Sequence, residues 1–271
     1  MNFPTFSIII PHSNSAIEND PLLTTLASIA DQEGVKIEIL LQHGGGITGL
    51  WGKLSRVLNL SAKKEQITLR VIEEKSSSPE EALAAGVKRA TGDWIGFLKP
   101  GEQYLPYVLV ALQEAVEAHP EVDVFLTGAI TPISNKLVMV PAVLPTSRYL
   151  TSSQTAWSAH SLFCRASLLR DDAALLQPCY QHQMITEWLL RALPSGKKIK
   201  ILPTLTTLAP RNEEKKESLL PKATGMTALL KPWHQWRHQA ALRQAQKAIT
   251  LPDLILIYQD GSFAERARMR K

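Results

Sequence analysis

Short apolar runs alternate with helix-patterned segments over the first ~130 residues of this chain, and that alternation limits its fold more than any other feature. FSIIIP (Phe6 to Pro11) is a continuous, isoleucine-rich run, the pattern of a strand buried on both faces. PLLTTLASIADQ follows with Leu22, Leu23, Leu26 and Ile29 at helical spacing behind an Asp-Pro start. KIEILLQ and QITLRVIE read as second and third strands. SPEEALAAGVKRAT then offers Ser78 as an N-cap, Pro79 at the first helical position and two glutamates near the positive end of the helix dipole. DWIGFLK is a fourth strand, LPYVLVALQEAVEAH a helix and EVDVFLTGA a fifth strand. Strands and helices in turn predict a mainly parallel sheet with helices on both faces, a Rossmann-like α/β architecture.

Ligands of such sheets sit beyond the carboxyl ends of the strands. Here those ends fall at Pro11 to Asn14, Gln42 to Gly46, Glu73 to Ser77 and Lys99 to Gln103. The second half is less regular. KLVMVP and KKIKILP read as short strands, SAHSLFCRASLL as a strand running into a turn, and YQHQMITEWLLRAL as a helix with Met184, Ile185, Trp188, Leu189 and Ala192 on one side. PRNEEKKES (Pro210 to Ser218) is charged and turn-rich, and serves as a linker to an amphipathic basic helix, KPWHQWRHQAALRQAQKAI. The expected organisation is one α/β domain over residues 1–210 and a basic helical extension over 211–271.

Charge is divided the same way. Residues 211–271 carry 12 Lys/Arg against 6 Asp/Glu, while the preceding part is close to neutral, so attraction to an anionic surface belongs to the tail. Trp233, Trp236, Ala240 and Leu242, with Lys231, Arg237, Arg243 and Lys247, suit either a helix docked on the domain or one lying at a membrane surface. No nucleic-acid motif accompanies these basic residues, so a nucleic-acid partner is not expected. Two cysteines, Cys164 and Cys179, form neither a disulfide framework nor a C-x-x-C metal pair. The opening apolar run lacks a basic flank and is too short for a signal peptide, and no stretch reaches the roughly 20 apolar residues of a spanning helix. The expectation is a cytoplasmic chain, with the membrane surface as an added location.

LLQHGGGITGL (Leu40 to Leu50) holds two short patterns. Gly44-x-Gly46-x-x-Gly49 has the spacing of a dinucleotide fingerprint, and His43 to Gly46 that of an esterase oxyanion loop. The esterase needs a G-x-S-x-G elbow, which the sequence lacks. A nicotinamide-dependent oxidoreductase stays open, with Glu73 about where a ribose-binding acid belongs, although that fingerprint normally follows the first strand.

The stretch from Ser78 to Ile130 resembles family 2 glycosyltransferases, which use nucleotide-diphosphate sugars on a GT-A-type fold. The helix supplies Ala84, Gly86, Ala90 and Gly92 of an A-x-G-x-x-x-A-x-G pattern, Asp93 opens the next strand, and Tyr104, Leu105 and Pro106 follow the turn. SIIIPHSN looks like the family's opening strand, and SAHSLFCRASLL, MITEWLLRAL and KKIKILPTL resemble its acceptor-side half. The likeness spans roughly residues 5 to 210.

This resemblance implies transfer of a sugar to a glycan or lipid-linked acceptor. It implies donor contacts from Pro11, His12, Asn14, His43, Gly44, Lys75 and Lys99, and Glu187 as the base that takes the acceptor proton. Family members commonly hold Mg²⁺ or Mn²⁺ on an acidic turn, but here the turn reads FLKPGEQYLP, with Lys99 and Gly101 where acids belong. Glu102 is the carboxylate left as a metal ligand. Lys99 could instead meet phosphate directly, and the turn could equally be a solvated bend. His160 and His182, in the same half as Glu187, read first as packing or surface residues. The eroded acidic turn also supports a second class of function, an inactive pseudo-glycosyltransferase that binds without catalysing.

Overall fold

A computed structural model describes residues 4–12, 21–43, 52, 66–73, 78–133, 136–140, 142, 159–170, 176–192, 195–209, 236, 240, 254–259 and 262–267. The expected alternation is present. β1 (Thr5–His12), β2 (Lys36–His43), β3 (Ile67–Glu73) and β4 (Trp94–Phe97) are parallel, in the spatial order β3-β2-β1-β4. α1 (Leu22–Ala30) lies between β1 and β2 in the chain, and α2 (Pro79–Arg89) between β3 and β4. The continuous run in β1 is explained by its two faces. Ile8 and Ile10 join the core of Leu22, Leu26 and Ile29 from α1 and of Leu109 and Leu112 from α3 (Val108–Ala118). Ile9 joins the opposite core, with Leu83 and Val87 of α2 and with Ile185, Trp188 and Leu189 of α5 (Met184–Ala192).

Local chemistry sets the ends of α2 as its sequence predicts. Ser78 is extended, its hydroxyl accepts the Glu81 N–H at 3.1 Å, and Pro79 opens the first turn. The glycines of the helix-to-strand pattern are packing residues. A Cβ at Gly86 would collide with Ile9 Cγ2, and one at Gly92 would stand 2.8 Å from the Thr5 carbonyl.

The fifth parallel strand, β6 (Val124–Ile133), does not lie beside β4. β8 (Leu162–Arg165) inserts between them, antiparallel to both, and leads into the short α4 (Ala166–Arg170). β6 also carries β7 (Lys136–Val140) as an antiparallel partner. β9 (Ile199–Leu208) lies parallel to β6 and antiparallel to the two-residue β5 (Gln103–Tyr104). The strand expected to stop at Pro203 runs on to Leu208, because Pro203 falls inside a bulge: Leu126 pairs with Ile201 but Gly128 with Leu205. A residue without an N–H is tolerated where the ladder is broken.

In the basic extension Trp236 and Ala240 are helical, and Trp236 is 67% exposed. A two-stranded antiparallel ribbon follows, β10 (Leu254–Gln259) and β11 (Ser262–Ala267). The extension therefore includes strand as well as the helix expected of it. The linker and most of the basic helix lie outside the described residues, as do Asn14, Lys75 and Gly44 to Gly49. Among the described residues, no helix is long and apolar enough to cross a membrane.

Candidate active site

Parallel pairing brings the carboxyl ends of three strands into line. His12 pairs with His43, and His43 with Glu73, while Pro11 pairs with Gln42. On the other side of β1, Ile9 pairs with Phe97, and the Leu98 N–H continues the ladder to the Ile9 carbonyl at 3.2 Å. β1 sits between β2 and β4, so the tips that sequence assigned to the donor leave the sheet side by side. Pro11 and His12 are buried at the end of β1. His43 is placed by its backbone at the end of β2.

The segment Lys99 to Glu102 is a tight turn. The Glu102 N–H reaches the Lys99 carbonyl at 2.9 Å, with Pro100 and then Gly101 (φ 92°) in the corner. Proline followed by a glycine of positive φ is the type II signature, which explains this residue order directly. α1 clamps the turn: the Gly101 N–H donates to Thr25 Oγ1 at 2.9 Å and to the Pro21 carbonyl at 3.1 Å.

Glu102 departs from the solvated bend that sequence allowed. Its side chain is only 11% exposed. Oε2 accepts the Lys99 N–H at 2.7 Å, and Oε1 lies 2.9 Å from Nδ1 of His160. Burial pushes this carboxyl's pKa up, but the His160 charge and hydrogen bond, with the Lys99 N–H, outweigh it and hold the group below the ordinary carboxylate value. His160 belongs to a 3-10 turn (Ala159–Ser161) that feeds β8. Since Gly96 pairs with Phe163 in antiparallel sense, that turn lies beside the end of β4. Beyond Glu102, the Tyr104 hydroxyl is buried without a hydrogen-bond partner among the described residues, and burial followed by the Glu102 charge raises its pKa well above the ordinary phenol value.

Both oxygens of Glu102 are thus engaged by the protein, and among the described residues no three His, Cys, Asp or Glu side chains gather as a donor set. The residues placed here do not form the hard-oxygen cage that Mg²⁺ or Mn²⁺ prefers. Lys99 carries the opposite charge. Its amine stands 3.8 Å from Oε1 of Glu80, in the first turn of α2, with the side chain 37% exposed.

Glu187 is buried on α5 and held by its own helix. Arg191, one turn on, donates Nε to Oε1 and Nη2 to Oε2, the latter at 2.8 Å. His160 is the residue the sequence reading set aside. Its link to Glu102 spans 58 residues, and only the insertion of β8 next to β4 makes it visible.

A mixed sheet of this order, with a clustered rim at the carboxyl ends, defines a GT-A-like α/β protein. The sequence model "Glycosyl transferase family 2" matches residues 7–174, more than half of the chain, and the chain belongs to that family. No curated relative matches it in sequence. Solved structures share the fold at low identity. TarS 1–349 of S. aureus aligns at 16% identity and a TM-score of 0.54, over 76% of this chain and 60% of that one. The same protein in complex with UDP-GlcNAc aligns at 18% and 0.54, over 78% and 59%. The mannosyltransferase PcManGT from Pyrobaculum calidifontis, in complex with GDP-Man and Mn²⁺, aligns at 14% and 0.55, over 93% and 77%. The chain thus spans about three-fifths of the length of TarS 1–349.

Proposed function

We propose that this protein transfers a sugar from a nucleotide-diphosphate donor to a glycan or lipid-linked acceptor. The observation that carries the reading is the shared rim: the family match covers β1, β2 and β4, and their carboxyl ends stand adjacent with Lys99 and the Glu102–His160 pair beside them. Complexes of TarS with UDP-GlcNAc and of PcManGT with GDP-Man support a donor of this class.

In this reading Pro11, His12, Asn14, His43, Gly44 and Lys75 surround the nucleotide, and Lys99 faces the diphosphate. The acceptor oxygen bonds to the anomeric carbon as the bond from that carbon to the diphosphate oxygen breaks. The diphosphate leaves with the electron pair, and the acceptor proton passes to Glu187. Glu187 must first release Arg191, whose side chain is one-third exposed. For a lipid-linked acceptor, the basic residues 231–249 would bring the protein to a membrane surface, and exposed Trp236 suits that role. The family match weighs against the dinucleotide reading, whose glycines follow the second strand of the chain rather than the first.

A thermal-shift panel of UDP-, GDP- and dTDP-sugars with and without Mn²⁺, plus NAD(H), tests the assignment. One sugar nucleotide should raise the Tm by several degrees, since ligand at about 100 times its Kd adds about 2.7 kcal/mol. A response to NAD(H) alone would replace the transferase with an oxidoreductase, and silence throughout would favour the pseudo-glycosyltransferase.

A further inference from the structure

We infer that protein side chains, Lys99 and a His160 held in place by Glu102, take the donor's diphosphate at this rim, where the resemblance would put a divalent metal. The inference rests on the transferase reading and specifies how that site holds its anion. Three observations carry it. The turn after β4 opens on a lysine, and its glycine contributes no carboxylate, so compared with the acidic turn the resemblance implies the rim loses negative charge and gains positive charge. The remaining acid, Glu102, is saturated from two sides, by the Lys99 N–H and by His160, which suits it to orient a side chain rather than to ligate an ion. The histidine it orients comes from a turn beside the end of β4, so Lys99 and His160 reach the same strand end from two separate turns.

The chemistry follows from the ring. An ionised carboxylate can only accept, so Nδ1 of His160 carries the proton shared with Glu102, and Nε2 lies at the other edge of the ring. With the carboxylate fixing one edge of the ring, a phosphate at the other edge is met by a hydrogen bond from Nε2. Lys99 adds a point charge: its amine is the more exposed side of a long 3.8 Å pair with Glu80 (side chains 37% and 12% exposed), and can turn from that carboxylate to a phosphate. Glu102 is a positioning residue in this arrangement. Lys99 and His160 are the groups that touch the substrate. As the bond to the sugar breaks, the charge that develops on the departing diphosphate falls on donors already in place.

The test is calorimetry on the full chain in EDTA, comparing uridine with UDP and guanosine with GDP. The nucleoside diphosphate of the preferred base should bind at least about tenfold more tightly than its nucleoside without metal, and Lys99→Met and His160→Gln should each remove about tenfold of that gain. Nucleoside affinity should stay unchanged in both variants, which also serves as the check that they fold. Glu102→Gln should reduce the gain in the same direction, again at constant nucleoside affinity, a separation that a purely structural role would not give. Diphosphate binding that appears only on adding Mn²⁺ or Mg²⁺, or a gain that survives in both Lys99→Met and His160→Gln, overturns the inference and leaves the transferase reading standing. Failure of every nucleoside diphosphate to bind under either condition removes the donor site and the inference together.

Discussion

Two buried glutamates stand at opposite edges of one sheet, and the protein treats them differently. Glu38, near the start of β2, accepts from Ser7 Oγ, from Arg70 Nη1, and from both the N–H (2.8 Å) and the hydroxyl (2.9 Å) of Thr91. Those donors come from β1, from β3 and from the loop between α2 and β4, so one carboxylate ties the first four strands together at the amino edge. Glu102, at the carboxyl edge, has two partners and an unpaired phenol nearby. The contrast extends beyond the two residues. Among the described residues, Gln42, Gln103, Tyr104 and Thr207 have buried side-chain atoms without hydrogen-bond partners, and all four lie at strand ends of the carboxyl edge. Saturated polar groups set a fold, whereas unsaturated ones cost stability and persist where something else requires them.

The largest effect should come from emptying the saturated edge. Glu38→Ala leaves Ser7, Thr91 and the partly exposed Arg70 without their acceptor, a loss of about 3 kcal/mol by denaturant unfolding. A change below about 1 kcal/mol would erase the distinction between the two edges.

Acid should weaken both edges in the same direction. For Glu38, burial raises the pKa, and the hydrogen bonds from Ser7, Thr91 and Arg70 bring it below the ordinary value; Glu102 is lowered likewise. A carboxyl held lower in the folded state contributes stability above its unfolded pKa and loses it as pH falls through the folded one. The stability these two carboxylates contribute is therefore expected to fall below about pH 4. Urea midpoints across that range should fall less steeply in Glu102→Gln, which has no carboxyl there to protonate. An identical acid slope would mean that Glu102 gains nothing from His160 and the Lys99 N–H.

Much of this frame is legible in the sequence for local reasons. Ile8 to Ile10 announces a two-faced strand, Ser78-Pro79 a helix start, and Lys99-Pro100-Gly101-Glu102 a turn, each within a few residues. The partnerships are not local. Glu38 meets Thr91 across 53 residues and Glu102 meets His160 across 58, and no periodicity encodes either pair. β8 is a four-residue strand that could have joined either sheet edge by its pattern alone, and its insertion between β4 and β6 is decided by packing. Pro203 points to a strand end by the usual rule and is accommodated by a bulge instead. Glu187 could be picked out from its neighbour Trp188, but its bidentate hold by Arg191 follows only once the helix is in place.

The smallest predicted effect has the opposite sign, and it sharpens the comparison most. Tyr104 packs its ring against Phe163 at 5.7 Å between centroids, while its hydroxyl fills the space where a Cβ on Gly96 would sit, 2.6 Å away. That hydroxyl is desolvated, finds no partner among the described residues and lies in the field of Glu102. Tyr104→Phe keeps the ring and removes the unpaired group, so it should be neutral or stabilising by up to about 1 kcal/mol. Ser7→Ala at the amino edge removes a hydroxyl that both donates to Glu38 and accepts the Gly92 N–H at 2.8 Å, and should cost about 1–2 kcal/mol. Thermal unfolding of the two variants side by side decides the matter. If Tyr104→Phe loses as much as Ser7→Ala, the phenol is as well satisfied as the amino-edge serine, and the carboxyl edge holds no reserve of unpaired groups for a ligand to meet.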